Sequence, residues 1–288
     1  LRGNPTHPKD KMISGIGLFC HEFSHCMGLP DFYPTVERAQ GDNQGMEAWS
    51  LMDDGEYTAN GWCPTAYTAW EREAMGWMTI DDLTTAQQIE LKTIDNEGKA
   101  YRIYNDNDPS KKDYYIVQNI QPKRWNAGLE SHGLLVYHVN YDASAFALSS
   151  NSVNNDKGKP RMTVIPADGR LFSSYNGDGI KYIEELKGDL FPGTKNVTEL
   201  TDATKLPNYK PWTGGKLDKP IYNISERDGK IYFDFLRKDF TNGIEQATYK
   251  DRPLDERIYT LDGRYVGTDD RVLEKGIYIR NHKKFVKP

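Results

Sequence analysis

Two histidines separated by three residues carry the clearest chemistry in this chain. In His21-Glu22-Phe23-Ser24-His25 they stand four positions apart. On a helix both imidazoles would therefore lie on one face, one turn apart, within reach of one ion. Zinc binds neutral imidazole nitrogens and, in catalytic sites, keeps a position open for water. Glu22 could take a proton from that water, so the pattern predicts zinc-dependent hydrolysis with Glu22 as general base.

The residues after His25 offer a third ligand. Gly28 follows three positions later and Asp31 three positions after that. A glycine adopts the positive φ that turns a chain out of a helix, and this turn would bring the Asp31 carboxylate back towards the metal. The predicted zinc ligands are therefore His21, His25 and Asp31.

Two other interpretations of the histidines are weaker. In the first they are core residues satisfied by hydrogen bonds, but Glu22 in the same turn is a residue type that is rarely buried without a partner. In the second, Cys20 and Cys26 complete a structural Cys/His zinc site. Cys26 directly follows His25 and so points about 100° away around the helix. We interpret both cysteines as small buried apolar residues.

Over residues 21–31 the sequence resembles the metzincin-like zinc peptidases, specifically the immune inhibitor A family. In that family an Asp replaces the histidine that is the commoner third zinc ligand. The resemblance continues patchily over residues 11–237. The methionine turn of the family is similar to Trp49-Ser-Leu-Met52-Asp-Asp-Gly55. The helix that closes its catalytic domain is similar to the segment with Pro64, Ala69-Trp70, Arg72 and Met75-Gly76-Trp77. Its downstream β region is similar to Gly133-Leu-Leu-Val-Tyr-His138 and Gly188-Asp-Leu-Phe-Pro-Gly193.

The resemblance implies a secreted zinc metalloendopeptidase that hydrolyses peptide bonds of proteins. Met52 would support the ligands from beneath. Tyr57 could steady the oxyanion as in some related peptidases, although its spacing from Met52 favours a packing or loop tyrosine. The family has a substantial segment before the zinc helix, and this chain has almost none of it. We therefore expect the chain to be the C-terminal part of a longer protein, to pair with its own upstream segment and, alone, to leave part of the zinc helix's apolar surface open.

Composition excludes several other classes of protein. A net charge of −5 and a pI near 5.8 argue against a nucleic-acid or anionic-membrane binder. The longest aliphatic stretch, 133–139, is too short to insert in a membrane, since a spanning helix needs about 20 apolar residues. Three cysteines do not make a disulfide framework.

The pattern of apolar residues predicts an α+β fold. A largely buried helix is expected over 11–27, ended by Gly28 and Pro30, and a second over Thr65–Met75. Residues 142–160 and 166–220 should be mostly loop, and Arg227-Asp228-Gly229 should turn a hairpin. The expected strands are Ile89–Ile94, Tyr101–Tyr104, Tyr114–Ile120, Leu134–Asn140, Met162–Ile165, Ile221–Ile224 and Lys230–Leu236.

Three domains are expected. Residues 1–78 would be the helical lower half of a zincin-like catalytic domain, 79–237 a β-sandwich-like domain and 238–288 a small β-domain with hairpins turning at Asp262-Gly263 and near Asn281-His282. This tail resembles the C-terminal sorting domains of type IX-like secretion, which implies a bacterial protein outside the cell or on its surface. The residues that carry this resemblance are Gly243-Ile-Glu245, Ile258-Tyr-Thr-Leu-Asp-Gly-Arg264 and Gly276-Ile-Tyr-Ile279. The alternative to a sorting domain is that the tail is an extra pair of hairpins that completes a small β-domain.

Further ion sites are weaker predictions. His132 and His138 could hold a second metal, although ordinary sheet packing is favoured. Calcium is possible, with solvated turns as the default, among Asp42, Asp53, Asp54, Asp168, Asp178 and Asp189. The rival to a peptidase is an adhesive or binding β-domain protein with an inactive zincin remnant. The intact Glu22 and histidines favour the enzyme.

Overall fold

The computed structural model describes residues 15–41, 43–238, 257–280 and 283–287. The chain divides into two compact units, Leu1–Phe240 and Thr241–Pro288. The fold is α+β, as predicted, with few helices and three sheets among the described residues.

Helices occupy the first part of the larger unit and one later loop. The helix with the two histidines, α1, spans Gly17–Cys26, and residues 11–14 of its predicted range lie outside the described residues. A short α2 follows at Glu37–Gln40, and α3 spans Ala69–Ala74 within the predicted second helix. Thr68 and Glu71 cap α3 reciprocally in a capping box. The sequence does not predict α4, Gly179–Leu186, whose N-cap is Asp178.

The larger unit contains two sheets. The first has five strands in the order β1-β3-β4-β5-β6, with β1 parallel to β3 and the other pairs antiparallel. The second has three antiparallel strands in the order β2-β8-β7. Every strand predicted for this unit is present within a few residues. Their bounds are Asp81–Asp82 (β1), Gln87–Leu91 (β2), Tyr101–Tyr104 (β3), Asp113–Ile120 (β4), Gly133–Asn140 (β5), Met162–Val164 (β6), Ile221–Arg227 (β7) and Lys230–Phe235 (β8).

The five-stranded sheet is covered on both faces. Alternate residues of β4 show this, since Tyr114 and Ile116 pack with Phe32, whereas Tyr115 and Val117 pack with the three-stranded sheet. A sheet with two covered faces explains why all eight residues of β4 are buried. The first face therefore joins the segment that carries the histidines to the β region in one apolar core.

The smaller unit is a four-stranded antiparallel sheet in the order β10-β9-β11-β12. Its strands are Ile258–Thr260 (β9), Tyr265–Gly267 (β10), Gly276–Arg280 (β11) and Lys283–Lys287 (β12). The hairpin across Asp262-Gly263 is confirmed. The second hairpin pairs as predicted, whereas its turn at Asn281-His282 and the segment Gly243-Ile-Glu245 lie outside the described residues.

The prediction that α1 is largely buried is wrong. Phe19 is 70% and Phe23 53% exposed, and Ile16 and Leu18 are also exposed. The buried side of the helix carries Gly17, His21 and Ser24. A helix packed on one side buries one stripe of residues, and here that stripe contains a histidine rather than the large apolar residues. Part of the helix's apolar surface is thus open, as expected from the resemblance.

Candidate metal centre

The end of α1 sets the direction of the chain after His25. The amide of Gly28 donates to His25 O at 3.0 Å and the amide of Leu29 donates to Ser24 O at 3.2 Å, which is a Schellman motif. Gly28 has φ +97°, a conformation that favours glycine. The chain therefore reverses where the sequence predicts it.

Both histidine rings are oriented by backbone carbonyls. His21 Nδ1 donates to Leu51 O at 2.9 Å, and His25 Nδ1 donates to Leu29 O at 2.7 Å. Because a carbonyl oxygen only accepts, Nδ1 must carry the proton in each ring. In the neutral imidazole this leaves a lone pair on Nε2, the arrangement usual for histidines that bind a metal.

The two Nε2 atoms converge on Asp31. Its Oδ1 lies 3.0 Å from His21 Nε2 and 3.4 Å from His25 Nε2. The candidate ligand atoms of the three residues all lie within 4.8 Å of one another, so the group could hold a metal ion. Two imidazoles and one carboxylate are a donor set that zinc accepts, and these residues fit such an ion. His25 is only half-buried, so the centre is accessible from its side.

Asn151 fixes the other half of the Asp31 side chain. Its Nδ2 donates to Asp31 Oδ2 at 2.5 Å, and its Oδ1 accepts from the Asp31 amide at 2.8 Å. Sequence reasoning missed this residue, since it lies in a loop rich in Ser and Asn with no local signal of a role. Tyr33 was also missed, although its position two residues after Asp31 could have suggested it. Its ring stacks on His21 with centroids 6.3 Å apart.

Negative charge dominates the centre. Burial alone would lower the pKa of His21, but hydrogen bonds to Asp31 and Leu51 and the charge of Glu56 outweigh it and raise that pKa to about 9. Burial alone would raise the pKa of Asp31, but hydrogen bonds with His21 and Asn151 lower it. The field that holds a proton on His21 would equally favour a bound cation, which would replace that proton.

The turn around Met52 contacts the centre through the backbone carbonyl of Leu51. Met52 is fully buried, and its carbonyl accepts from the Phe32 amide at 2.8 Å. Ser50 Oγ donates to the buried Glu71 carboxylate of α3 at 2.7 Å and accepts from the Met52 amide at 3.0 Å. This turn carries Leu51, whose carbonyl orients His21, so α3 and the turn together position the first ligand.

Glu22 lies next to His21 and is exposed. Among the described residues it makes no hydrogen bond or ion pair. Its role as general base stays a prediction. Tyr57 lies in the segment Asp54–Gly61 and lines a cavity of about 660 Å³ together with Trp49 and Leu186.

His132 and His138 lie apart from this centre and from each other. Exposed His132 pairs with Glu226, with Nδ1 and Oε2 2.7 Å apart. Buried His138 pairs with Asp113, with Nε2 and Oδ1 2.6 Å apart, and stacks on Tyr115. Within the described ranges, the one group of three or more His, Cys, Asp or Glu side chains whose ligand atoms converge closely enough to hold a metal is that of the centre.

The cysteines are free. Cys20 is half-buried, which raises the pKa of its thiol, but Cys26 is exposed. The interpretation of Cys26 as a buried apolar residue is therefore wrong, because it faces away from the packed side of α1. Of the aspartates considered as calcium ligands, Asp178 caps α4 and Asp42 lies outside the described residues. For the other aspartates of that set, calcium binding stays a prediction.

In the described part of the chain, no helix has both the length and the apolar character needed to cross a membrane.

The sequence is similar to known metallopeptidases. The family model for the catalytic domain of the immune inhibitor A peptidases, family M6, matches residues 6–78, about a quarter of the chain. The pre-pro-metalloprotease PrtV of Vibrio cholerae serotype O1 (strain M66-2) is 24% identical over 97 residues, which are 33% of this chain and 10% of that protein. Immune inhibitor A of Bacillus thuringiensis subsp. alesti is 22% identical over 266 residues, 88% of this chain and 36% of that protein.

The chain thus spans about a tenth of PrtV and about a third of immune inhibitor A. The family match covers the segment that contains His21, His25 and Asp31. Together with the names of these relatives, the match supports a metallopeptidase function, and such a function implies a bound metal.

Proposed function

We propose that this protein is a zinc-dependent endopeptidase that hydrolyses peptide bonds of proteins outside the cell. The observation that carries the proposal is the convergence of His21 Nε2 and His25 Nε2 on Asp31 Oδ1, at 3.0 and 3.4 Å. Both rings have their Nδ1 hydrogen-bonded to a carbonyl, so in the neutral rings both Nε2 atoms carry the lone pair that would bind an ion. The similarity to M6 peptidases supports the same assignment.

The roles of the residues follow from their positions. His21, His25 and Asp31 would hold zinc, which when bound would polarise the scissile carbonyl and lower the pKa of a coordinated water to about 7. Glu22 is exposed beside His21, so it would accept the proton of the attacking water and deliver it to the departing amine. Asn151 and the carbonyl of Leu51 would hold two ligands in place.

Residues 1–78 would carry out catalysis, residues 79–237 would support the centre and residues 238–288 would direct export. Support by the β region is consistent with the apolar core that Phe32 and Trp70 share with Ile116 and Tyr137. The export role rests on the resemblance of the tail to sorting domains, and the antiparallel sheet over 258–287 is compatible with it. Removing residues 241–288 in the producing cell should retain the protein inside. Normal export of the shortened protein would exclude this role.

The function is tested by metal content and hydrolysis measured on one preparation. The purified chain should contain one zinc per molecule and cleave a general protein substrate, and removing the metal should abolish both signals. Restored zinc should restore cleavage. A chain that binds zinc at His21, His25 and Asp31 but never cleaves protein, alone or with any segment that precedes it in the natural protein, would leave the inactive remnant as the correct interpretation.

A further inference from the structure

A second group of acidic side chains is buried behind the turn that carries Met52. Glu47 begins the 3-10 turn Glu47–Trp49 and is 4% exposed, and Asp189, which follows α4, is 1% exposed. Their carboxyl groups lie within hydrogen-bonding reach of each other. Gln44 also points here, since its amide nitrogen donates to Glu47 Oε1. We call these three side chains the Glu47–Asp189 centre.

The charge of this centre is not balanced by basic side chains. Within the described ranges, no Lys or Arg forms an ion pair with Glu47 or Asp189. Asp53 adds a third buried carboxylate nearby, whose Oδ2 accepts from the amides of Met46 and Glu47 at 2.7 and 2.9 Å. Burial, then the charge of Asp189, raises the pKa of Glu47 well above its ordinary value, and burial raises that of Asp189 to about 7.

Each member of the centre keeps one oxygen unpartnered. Gln44 Oε1, Glu47 Oε2 and Asp189 Oδ1 are fully buried and accept no hydrogen bond from the described residues. The second oxygen of each carboxylate does accept a hydrogen bond. Trp49 Nε1 donates to Asp189 Oδ2 at 2.9 Å, and the amide nitrogen of Gln44 donates to Glu47 Oε1. Buried oxygens without a partner are costly, and three of them on side chains that contact one another, Gln44 with Glu47 and Glu47 with Asp189, indicate a cation that these oxygens would coordinate.

We propose that the Glu47–Asp189 centre binds a divalent cation of the calcium type, with side-chain oxygens of Glu47, Asp189 and Gln44 as ligands. Calcium takes carboxylate and amide oxygens in flexible geometry, whereas magnesium prefers to keep most of its waters. A site with oxygen donors and no imidazole or thiolate does not favour zinc. Two carboxylates would neutralise the charge of the cation.

The cation would act on the proposed zinc centre through the backbone. Asp189 accepts a hydrogen bond from the indole of Trp49. Leu51, two residues after Trp49, supplies the carbonyl that orients His21. Asp53, at the end of the same turn, accepts hydrogen bonds from the amides of Met46 and Glu47. Binding at the Glu47–Asp189 centre would therefore stabilise the segment 44–53 and reduce the loss of zinc from the first centre.

The experiment uses the full chain loaded with zinc and depleted of calcium. Calcium added to about one hundred times its Kd should raise Tm by roughly 5 °C or more, and magnesium at the same concentration should raise it less. Direct measurement of bound calcium should give one ion per chain. Glu47→Gln and Asp189→Asn should each abolish the calcium-dependent rise and the bound ion. Glu184→Gln, on the exposed side of α4, is the matched control and should retain both.

The main competitor is a proton shared between the two carboxyl groups. In that case Tm would not respond to calcium, and Glu47→Gln would be as stable as the parent at neutral pH with calcium present. Either result would overturn the proposal, and so would calcium bound equally by the parent and both variants. If Glu47→Gln does not fold, the calcium content of the parent and of Asp189→Asn still decides the question.

Discussion

Asn151, which lies 120 residues after Asp31 in the chain, forms two hydrogen bonds with Asp31. Its amide nitrogen donates to Asp31 Oδ2 and its carbonyl oxygen accepts from the Asp31 backbone amide, at 2.5 and 2.8 Å. The first bond occupies the carboxylate oxygen that faces away from the histidines and leaves Oδ1 directed at both Nε2 atoms. A loop of the β region thus orients the proposed third zinc ligand.

Replacing Asn151 with Ala should therefore weaken zinc binding. Loss of a residue that orients a ligand typically costs about 10- to 100-fold in metal affinity. The measurement is competition for zinc with a chromophoric chelator. Asn155→Ala is the matched control, because Asn155 makes the equivalent bond to the Thr35 amide at 2.8 Å without touching a ligand. Equal affinities of the two variants would show that Asp31 does not need this support, or is not a ligand.

Glu22→Gln should leave zinc content and fold unchanged but lower the rate of peptide hydrolysis by about 10²- to 10⁴-fold, since the amide cannot accept the proton. The exposed position of Glu22 makes a folding defect unexpected. Rate and zinc content should be measured on the same sample, beside Glu37→Gln, which changes another helix glutamate. A rate close to that of the parent would assign the base to another group.

The sequence predicts local features of this molecule well. The spacing His21–His25–Asp31 and the glycine at position 28 are local signals, because a helix and its cap are determined within a few residues. The strands over 101–104 and 113–120 were found for the same reason. Their apolar runs are short, rich in β-branched and aromatic residues, and bounded by turns.

Features that depend on distant contacts could not be found in the same way. Asn151 looks like any loop asparagine, and its role depends on the sheet that brings residues 151 and 31 together. Which face of α1 is exposed could not be predicted, because composition shows that a helix is apolar but not which side is packed. Glu47 and Asp189, which come from separate loops, did not stand out as a pair for the same reason.

The buried pair of His138 and Asp113 should make stability depend on acidity. Burial alone would raise the pKa of Asp113, but hydrogen bonds from His138, Asn105 and the Thr213 amide lower it below its ordinary 3.8. A depressed carboxyl pKa contributes stability that is present above about pH 4 and is lost as the pH falls through the lower, folded value.

Asp113→Asn should accordingly lower the free energy of unfolding by about 3 kcal/mol near neutral pH, because it removes one partner of a buried pair. The difference from the parent should shrink as the pH falls below 3.8. Denaturant unfolding over a pH series measures it. Glu226→Gln breaks the pair with exposed His132 and should cost under about 1 kcal/mol. A difference between Asp113→Asn and parent that does not change with pH would contradict the assignment.

A last prediction concerns Gly55, which closes the turn that carries Leu51. A Cβ at this position would lie 2.2 Å from Ser50 O, an atom that accepts from the Gly55 amide at 3.0 Å. The backbone cannot yield locally, because Ser50 is also bonded to Glu71 of α3. Gly55→Ala should therefore displace the turn and cost about 1–3 kcal/mol, as overpacking of a filled interior does.

The displacement should reach the metal, since the same turn presents the Leu51 carbonyl to His21 at 2.9 Å. We expect Gly55→Ala to lose zinc faster than the parent during dialysis against a chelator, at a temperature where both remain folded. Gly41→Ala is the control, because a Cβ there meets nothing within 4 Å. If Gly55→Ala loses stability but retains zinc as long as the control, the turn supports the core only, and the orientation of His21 must come from Asp31 and Tyr33 instead.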